Sequence, residues 1–404
     1  MLGTENQQSL FGRISTRRSR VVSMEGSHEQ HLEEFELFQN HVSERFLNLL
    51  SSTQPPGDHE GGLKNKQPEA STAPVEPLLS IAWLRSLFDV FLCCEAEFKS
   101  FLITNRDRHQ VSKPPLDRLI SDFLERSIKL LDICNAVSLG IDNVRQCQRF
   151  AEIAVSSLSS TPIGDGQVKR AKKALHSLRL ALTAEEREQG SGQGSVSVRW
   201  PERSWSFGKK SKGSTTTAVA PPHLPFRSLS TVAKNWSAAR QIQAMSANVT
   251  APRGGSEGMT MAAAVYMMSV VAVFTMWAAV AALPCQDRSG LAGSFAAPRQ
   301  GVWSQGIAAL HDRIGDEWKR KERSRTGGLL EEMQMLEKLG DRLTEMCNGL
   351  GNPCDVEAMV GEMGQVCRRI EVGLCPLQRQ IREVFHRVVR SRNEILELLD
   401  QDGA

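Results

Sequence analysis

Residues Met259–Leu283 read MTMAAAVYMMSVVAVFTMWAAVAAL, and no charged residue occurs between Glu257 and Asp287. At 1.5 Å per residue, a helix of this length can cross the hydrocarbon core of a bilayer or thread the middle of a large helical bundle. Composition weighs the two. Eight of the twenty-five residues are Ala, and only five Val, Phe274 and Leu283 insert strongly into lipid. At about −0.3 to −0.6 kcal/mol each, those seven contribute roughly −2 to −4 kcal/mol, before Ser and Thr are subtracted. A helix that is apolar on every side yet inserts marginally is expected at the centre of a bundle. The bilayer reading stays open beside it. Met259, Val265, Val270, Val273, Phe274, Trp277 and Leu283 would then mark the span, with Lys234, Arg240 and Arg253 holding its amino-terminal side in the cytosol.

Around this segment the pattern is helical. Leu32, Phe35, Gln39, Val42, Phe46 and Leu49 step by three and four, leaving Glu33, Glu34, Glu36 and Glu44 for a wet face. After a polar loop over 51–76, Pro77 opens a second helix with Leu78, Ile81, Leu84, Leu87, Phe88 and Phe91, running on to Phe98 and Phe101. Pro114 and Pro115 start a third, carrying Leu119, Ile120, Phe123, Ile128 and Leu131. Gly140 is expected to separate it from a further helix through Val144 and Ile153, and Asp165 to cap the next, with Val168, Ala171, Leu175, Leu178 and Leu182 inside.

Two more stripes follow: Leu329, Met333, Leu336 and Leu343, then Leu377, Ile381, Val384, Val388, Ile395 and Leu399 near heptad spacing. No run of alternating β-branched residues interrupts them. The expected fold is all-α: an antiparallel helical bundle, interrupted by disordered linkers, with one strongly apolar Ala-rich helix. Its expected parts are a disordered basic start (1–24), an amino-terminal bundle (25–182), a disordered basic linker (183–228) and a carboxy-terminal helical region (229–404) containing the apolar helix 259–283.

Charge is balanced overall at +3 but unevenly spread. Six acidic residues and one basic residue lie between Glu25 and Leu50, whereas Gly190–Ser256 carries nine Lys or Arg against Glu202 alone. In the linker, Arg199, Trp200, Arg203, Trp205, Phe207, Lys209, Lys210 and Lys212 interleave cations with aromatics. Such a segment suits an anionic leaflet, each cation adding about 1 kcal/mol and the rings entering the interface. No nucleic-acid-binding module surrounds it. The membrane or polyanion contact residues expected there are Arg199, Trp200, Arg203, Trp205, Lys209, Lys210 and Lys212, with a solvated linker that has no partner as the alternative.

Motifs for catalysis are weak. Gly254-Gly255-Ser256-Glu257-Gly258 matches the nucleophile-elbow pattern, but Pro252 and a linker stand where a strand is needed. Gly208-Lys209-Lys210-Ser211 lacks the first glycine and the strand of a phosphate loop. Cys347, Cys354, Cys367 and Cys375 are spaced seven, thirteen and eight apart, too widely for the close pairs that structural zinc prefers. With nine cysteines, most inside apolar helical patterns, reduced thiols in a cytosolic setting fit best. No catalytic, metal or cofactor residue is expected.

The run Trp277-Ala278-Ala279-Val280-Ala281-Ala282-Leu283-Pro284-Cys285-Gln286-Asp287-Arg288 resembles the plant BYPASS-related proteins, especially their ROH-type branch. Phe11-Gly12-Arg13-Ile14-Ser15 and Leu37-Phe38-Gln39 resemble the same branch. The resemblance covers most of the chain outside the polar linkers. It implies a plant protein without known catalytic residues, a partner of exocyst subunits, linked to secretion, polar growth or developmental signalling, with one hydrophobic segment near this place. The combined expectation is a cytoplasmic, membrane-associated interaction protein that takes no small-molecule substrate. A single-pass membrane protein with helical domains on both sides is the competing expectation.

Overall fold

The computed structural model describes residues 8–53, 76–104, 116–159, 164–183, 236–252, 259–285, 287–321, 328–349 and 353–400, with side chains from Glu29 to Glu397 apart from Pro353 and Cys354. Among these residues there are nine α-helices, two short 3-10 turns and no strand. The helices are α1 (Gln8–Ser51), α2 (Ile81–Thr104), α3 (Leu116–Leu158), α4 (Asp165–Leu182), α5 (Ala238–Ser246), α6 (Met259–Ala282), α7 (Gln305–Lys321), α8 (Glu331–Cys347) and α9 (Pro353–Asp400). The fold is therefore all-α, as the apolar stripes require. The backbone of α1 is already helical at Gln8, well before the acidic stretch at Glu25 where its pattern becomes visible.

Several helix ends show their local cause. Ser237 stands at the N-cap of α5 in an extended conformation, its Oγ accepting the Arg240 N–H at 3.3 Å. Pro353 opens α9, where its missing N–H is harmless. α2 begins under two acceptors: Ser80 Oγ takes the Trp83 N–H at 3.1 Å, and both oxygens of buried Glu332 lie 3.2 Å from the Ile81 nitrogen. The cap of α4 is Gly164, not Asp165. The Gly164 N–H donates to Gln167 Oε1 at 2.7 Å, and Asp165 becomes a first-turn residue suited to the positive helix end.

Gly140 does not separate two helices. α3 runs unbroken through it, because the absent side chain serves packing: a Cβ there would lie 3.2 Å from the Pro284 oxygen and 3.3 Å from Leu283 Cβ. α9 likewise passes through Pro376. The carbonyl that Pro376 cannot bond belongs to Val372, whose side chain is 76% exposed, so that helix face has access to water.

All nine helices belong to one compact unit, Met1–Glu185 with Ser237–Ala404; the second unit, Glu186–Trp236, lies almost wholly outside the described residues. Helices from before and after this gap interleave. α1 and α2 run antiparallel, with Phe35 on Phe101 and Phe38 on Phe98. α3 and α9 are also antiparallel, joined by Arg145–Gln378 at 3.2 Å and Arg392–Leu124 at 3.4 Å. α2 and α9 lie side by side in the same direction, since Asp89 meets Gln380, Glu95 faces Arg387 and Lys99 pairs with Glu394.

α6 runs through the interior, packed by α1, α2, α3, α5 and α7. Its C-terminal carbonyls, which no further helical turn can satisfy, accept backbone N–H groups from a distant segment: Leu329 N–H to Ala281 O at 3.0 Å and Leu330 N–H to Ala282 O at 2.9 Å. Gly328 makes this approach at φ +102°, and a Cβ there would stand 2.5 Å from the Ala282 oxygen.

Candidate functional site

The residues expected to mark a membrane span sit in the protein interior. Val265, Val270, Val273, Phe274, Trp277 and Leu283 are each at most 1% exposed, and Met259 at the helix start is half-buried. Phe274 meets Phe46 of α1 edge-on at 5.7 Å between ring centroids. The Trp277 indole donates to the Leu291 carbonyl at 3.0 Å and lies 4.6 Å from the His311 ring. The structure thus gives this segment protein neighbours on all sides. The expected polyanion contacts Arg199, Trp200, Arg203, Trp205, Lys209, Lys210 and Lys212 lie outside the described residues, as do Gly254–Gly258 and Gly208–Ser211.

Sequence reasoning missed a polar cluster within this core. Arg126 is 7% exposed in α3 and reaches α5 and α6: its Nε donates to the Met245 carbonyl at 2.8 Å and its Nη1 to Ser269 Oγ at 2.9 Å. Ser269 Oγ in turn donates to the Val265 carbonyl at 2.7 Å. Burial pulls the Arg126 pKa down, opposed by the charges of Asp122 and Glu125. Glu95 of α2 lines the same region at 5% exposure, its Oε2 3.7 Å from Arg387 of α9. Burial pushes the Glu95 carboxyl up from its ordinary range.

A cavity of about 20 Å³ lies among Glu95, Arg126, Ser269, Ser391 and Arg392. That is room for roughly one water molecule, far below the few hundred cubic ångströms a small-molecule site needs. The cluster's chemistry is cross-linking: one guanidinium joins three helices through oxygens that would otherwise be buried without a donor. No sequence signal marks it, because Leu124-Glu125-Arg126-Ser127 looks like an ordinary exposed turn.

Thiols divide by depth. Burial pushes Cys94, Cys134, Cys147 and Cys367 up to about 12, so at neutral pH they are protonated and poor nucleophiles. Cys347 is half-buried on α8 and Cys375 exposed on α9; the Cys354 side chain lies outside the description. Among the described residues no three His, Cys, Asp or Glu converge in a metal-binding group.

The buried apolar α6 is followed by Leu283-Pro284-Cys285, which packs on Gly140, and its last carbonyls are held by Leu329 and Leu330. A family model described as Protein ROH1-like matches residues 1–399. The chain belongs to the ROH1-like family. Protein ROH1A of Arabidopsis thaliana is 49% identical over 99% of this chain and 97% of the relative. Protein ROH1D of the same plant is 36% identical over 98% of each. No solved structure matches the chain. The ROH1-like likeness extends across both helical stretches and the residues between them, and neither relative carries an enzyme's name.

Proposed function

We propose that this ROH1-like protein is a non-enzymatic helical adaptor of plant cells that regulates exocyst-dependent secretion or developmental signalling at membranes. In this reading the helical unit presents outer surfaces to protein partners, exocyst subunits among them. The basic-aromatic stretch Arg199–Lys212 biases the protein toward an anionic cytoplasmic leaflet. The observation that carries the reading is the Arg126 cluster. The buried Arg126 guanidinium is engaged between helices, beside a cavity the size of one water.

Pull-down of purified exocyst subunits by the full chain, with and without residues 190–256, tests the adaptor role. Retained capture by the full chain supports it; failure to capture any subunit overturns the exocyst assignment. Alkaline carbonate extraction tests the membrane mode. Release into the soluble fraction is expected of a protein whose α6 is wrapped by its own helices, whereas retention with the lipid would favour a single span.

A further inference from the structure

Helix α4 carries five Lys or Arg against the single acid Asp165, an excess that no other described helix approaches. Its inner side, Ala171, Ala174, Leu175, Leu178 and Leu182, is buried against α3 and α8. Lys169, Arg170, Lys173, His176 and Arg179 emerge exposed on the opposite side, over three successive turns. On adjoining α3, Lys129 is paired with Glu125 and Arg145 with Asp142. No such ion pair engages the exposed cations of α4 among the described residues. Neighbouring α8 exposes Asp341 and Glu345, but Lys338 and Arg342 balance them.

We propose that this exposed face of α4 is a docking surface for an anionic lipid leaflet. The inference draws on the membrane part of the adaptor reading but assigns binding to a folded helix rather than to Arg199–Lys212. Charge complementarity selects the partner class, and the form of the face selects lipid within it. A protein interface centres on desolvated aromatic or aliphatic anchors, and among the described residues of α4 Leu180, 37% exposed, is the only exposed large apolar side chain. A single-stranded nucleic-acid site stacks successive bases on a series of aromatic platforms, and α4 carries no Phe, Tyr or Trp, only the one ring of His176. A row of exposed cations along one side of a helix suits a laterally mobile sheet of negative headgroups, which needs no fixed geometry.

The experiment is co-sedimentation of the full chain with vesicles of phosphatidylcholine alone or of phosphatidylcholine with phosphatidylserine. Wild type binds the anionic vesicles, less so at high salt. Lys173→Gln weakens that binding by about fivefold, and Lys169→Gln/Arg170→Gln/Lys173→Gln by about a hundredfold. Lys169→Arg/Lys173→Arg retains it. Unchanged helical circular dichroism shows that the triple variant is folded. A second variant replaces Arg199, Arg203, Lys209, Lys210 and Lys212 with Gln and tests the linker separately. Full-strength binding by the triple variant overturns the proposal, whatever the linker variant does. Equal binding to uncharged vesicles overturns it too, as does capture of single-stranded RNA, but not vesicles, through the same three residues.

Discussion

Met259–Ala282 and Asp165–Leu182 are helices of the same unit that meet solvent in opposite ways. α6 has no charge, so every direction around it is equally suited to burial, and five helices cover it. α4 confines Ala171, Leu175, Leu178 and Leu182 to one stripe, so it covers α3 and α8 while its cations stay in water. Hydropathy alone, which scores α6 as long and apolar enough for a membrane, does not distinguish a lipid environment from a protein one. The end of the helix has a protein neighbour of its own, since the carbonyls of Ala281 and Ala282 accept the Leu329 and Leu330 N–H groups.

The sharpest way to break the contrast is to place the same charge on both helices. Val271→Asp, at a position with no exposure, should cost more than about 4 kcal/mol and leave no cooperative unfolding transition. Lys173→Asp on α4 should stay within about 0.5 kcal/mol by urea denaturation. Trp277→Ala comes next, expected to cost about 3–5 kcal/mol because it empties the space beside Phe274, Phe295 and His311. Arg126→Met should cost about 1–3 kcal/mol, since the Met245 carbonyl loses its guanidinium donor and Ser269 its charged partner. Combining it with Ser269→Ala should cost less than the sum of the two single changes, which a double-mutant cycle measures.

Alkaline pH provides a milder test. Unfolded thiols titrate near 9, while Cys94, Cys134, Cys147 and Cys367 hold their protons to about 12 in the fold. The native state therefore binds more protons over this window, and its stability falls as pH rises from 9 to 12. Lys321, brought down to about 8 by burial, acts in the opposite sense between 8 and 10.5, one group against four. Thermal melts in reductant should show a net decrease above pH 9, and Cys134→Ala/Cys147→Ala should flatten it. The smallest effect belongs to Lys169→Gln/Arg170→Gln/Lys173→Gln, which should leave the melting temperature nearly unchanged while altering vesicle binding.

Helix identity was legible wherever one face is apolar and the other charged. Phe35, Val42, Phe46 and Leu49 of α1, and Ile81, Leu84, Leu87, Phe88 and Phe91 of α2, are buried as their spacing requires. Phase was harder to read in α3, where apolar residues occur on several sides. Ile128, one of the apolar residues read along this helix, is 46% exposed, and the buried row instead passes through Leu124, Leu130, Ile133, Val137 and Ile141. Leu32 is likewise exposed, and Phe38 takes the inward place. Direction and partnership were not legible, because an apolar stripe does not encode which stripe it meets. The parallel placement of α2 and α9 rests on pairs such as Lys99–Glu394, nearly three hundred residues apart. The Arg126 cluster was hidden for the same reason: its meaning lies in the carbonyl of Met245 and the hydroxyl of Ser269, supplied by other helices.

The lock between Leu329–Leu330 and the end of α6 has a bearing on synthesis. Ribosomes deliver α1 to α4 well before α6, and the residues that fasten α6 emerge later still. At about 5–20 residues per second, the roughly 150 residues between α4 and that lock take on the order of ten seconds or more to appear. Until α6 emerges, within this interval, the nascent amino-terminal helices lack the segment that will cover their apolar faces, and until Leu330 follows, α6 lacks its lock. Chaperone occupancy on stalled nascent chains should therefore persist until the segment carrying Leu330 clears the exit tunnel, then drop.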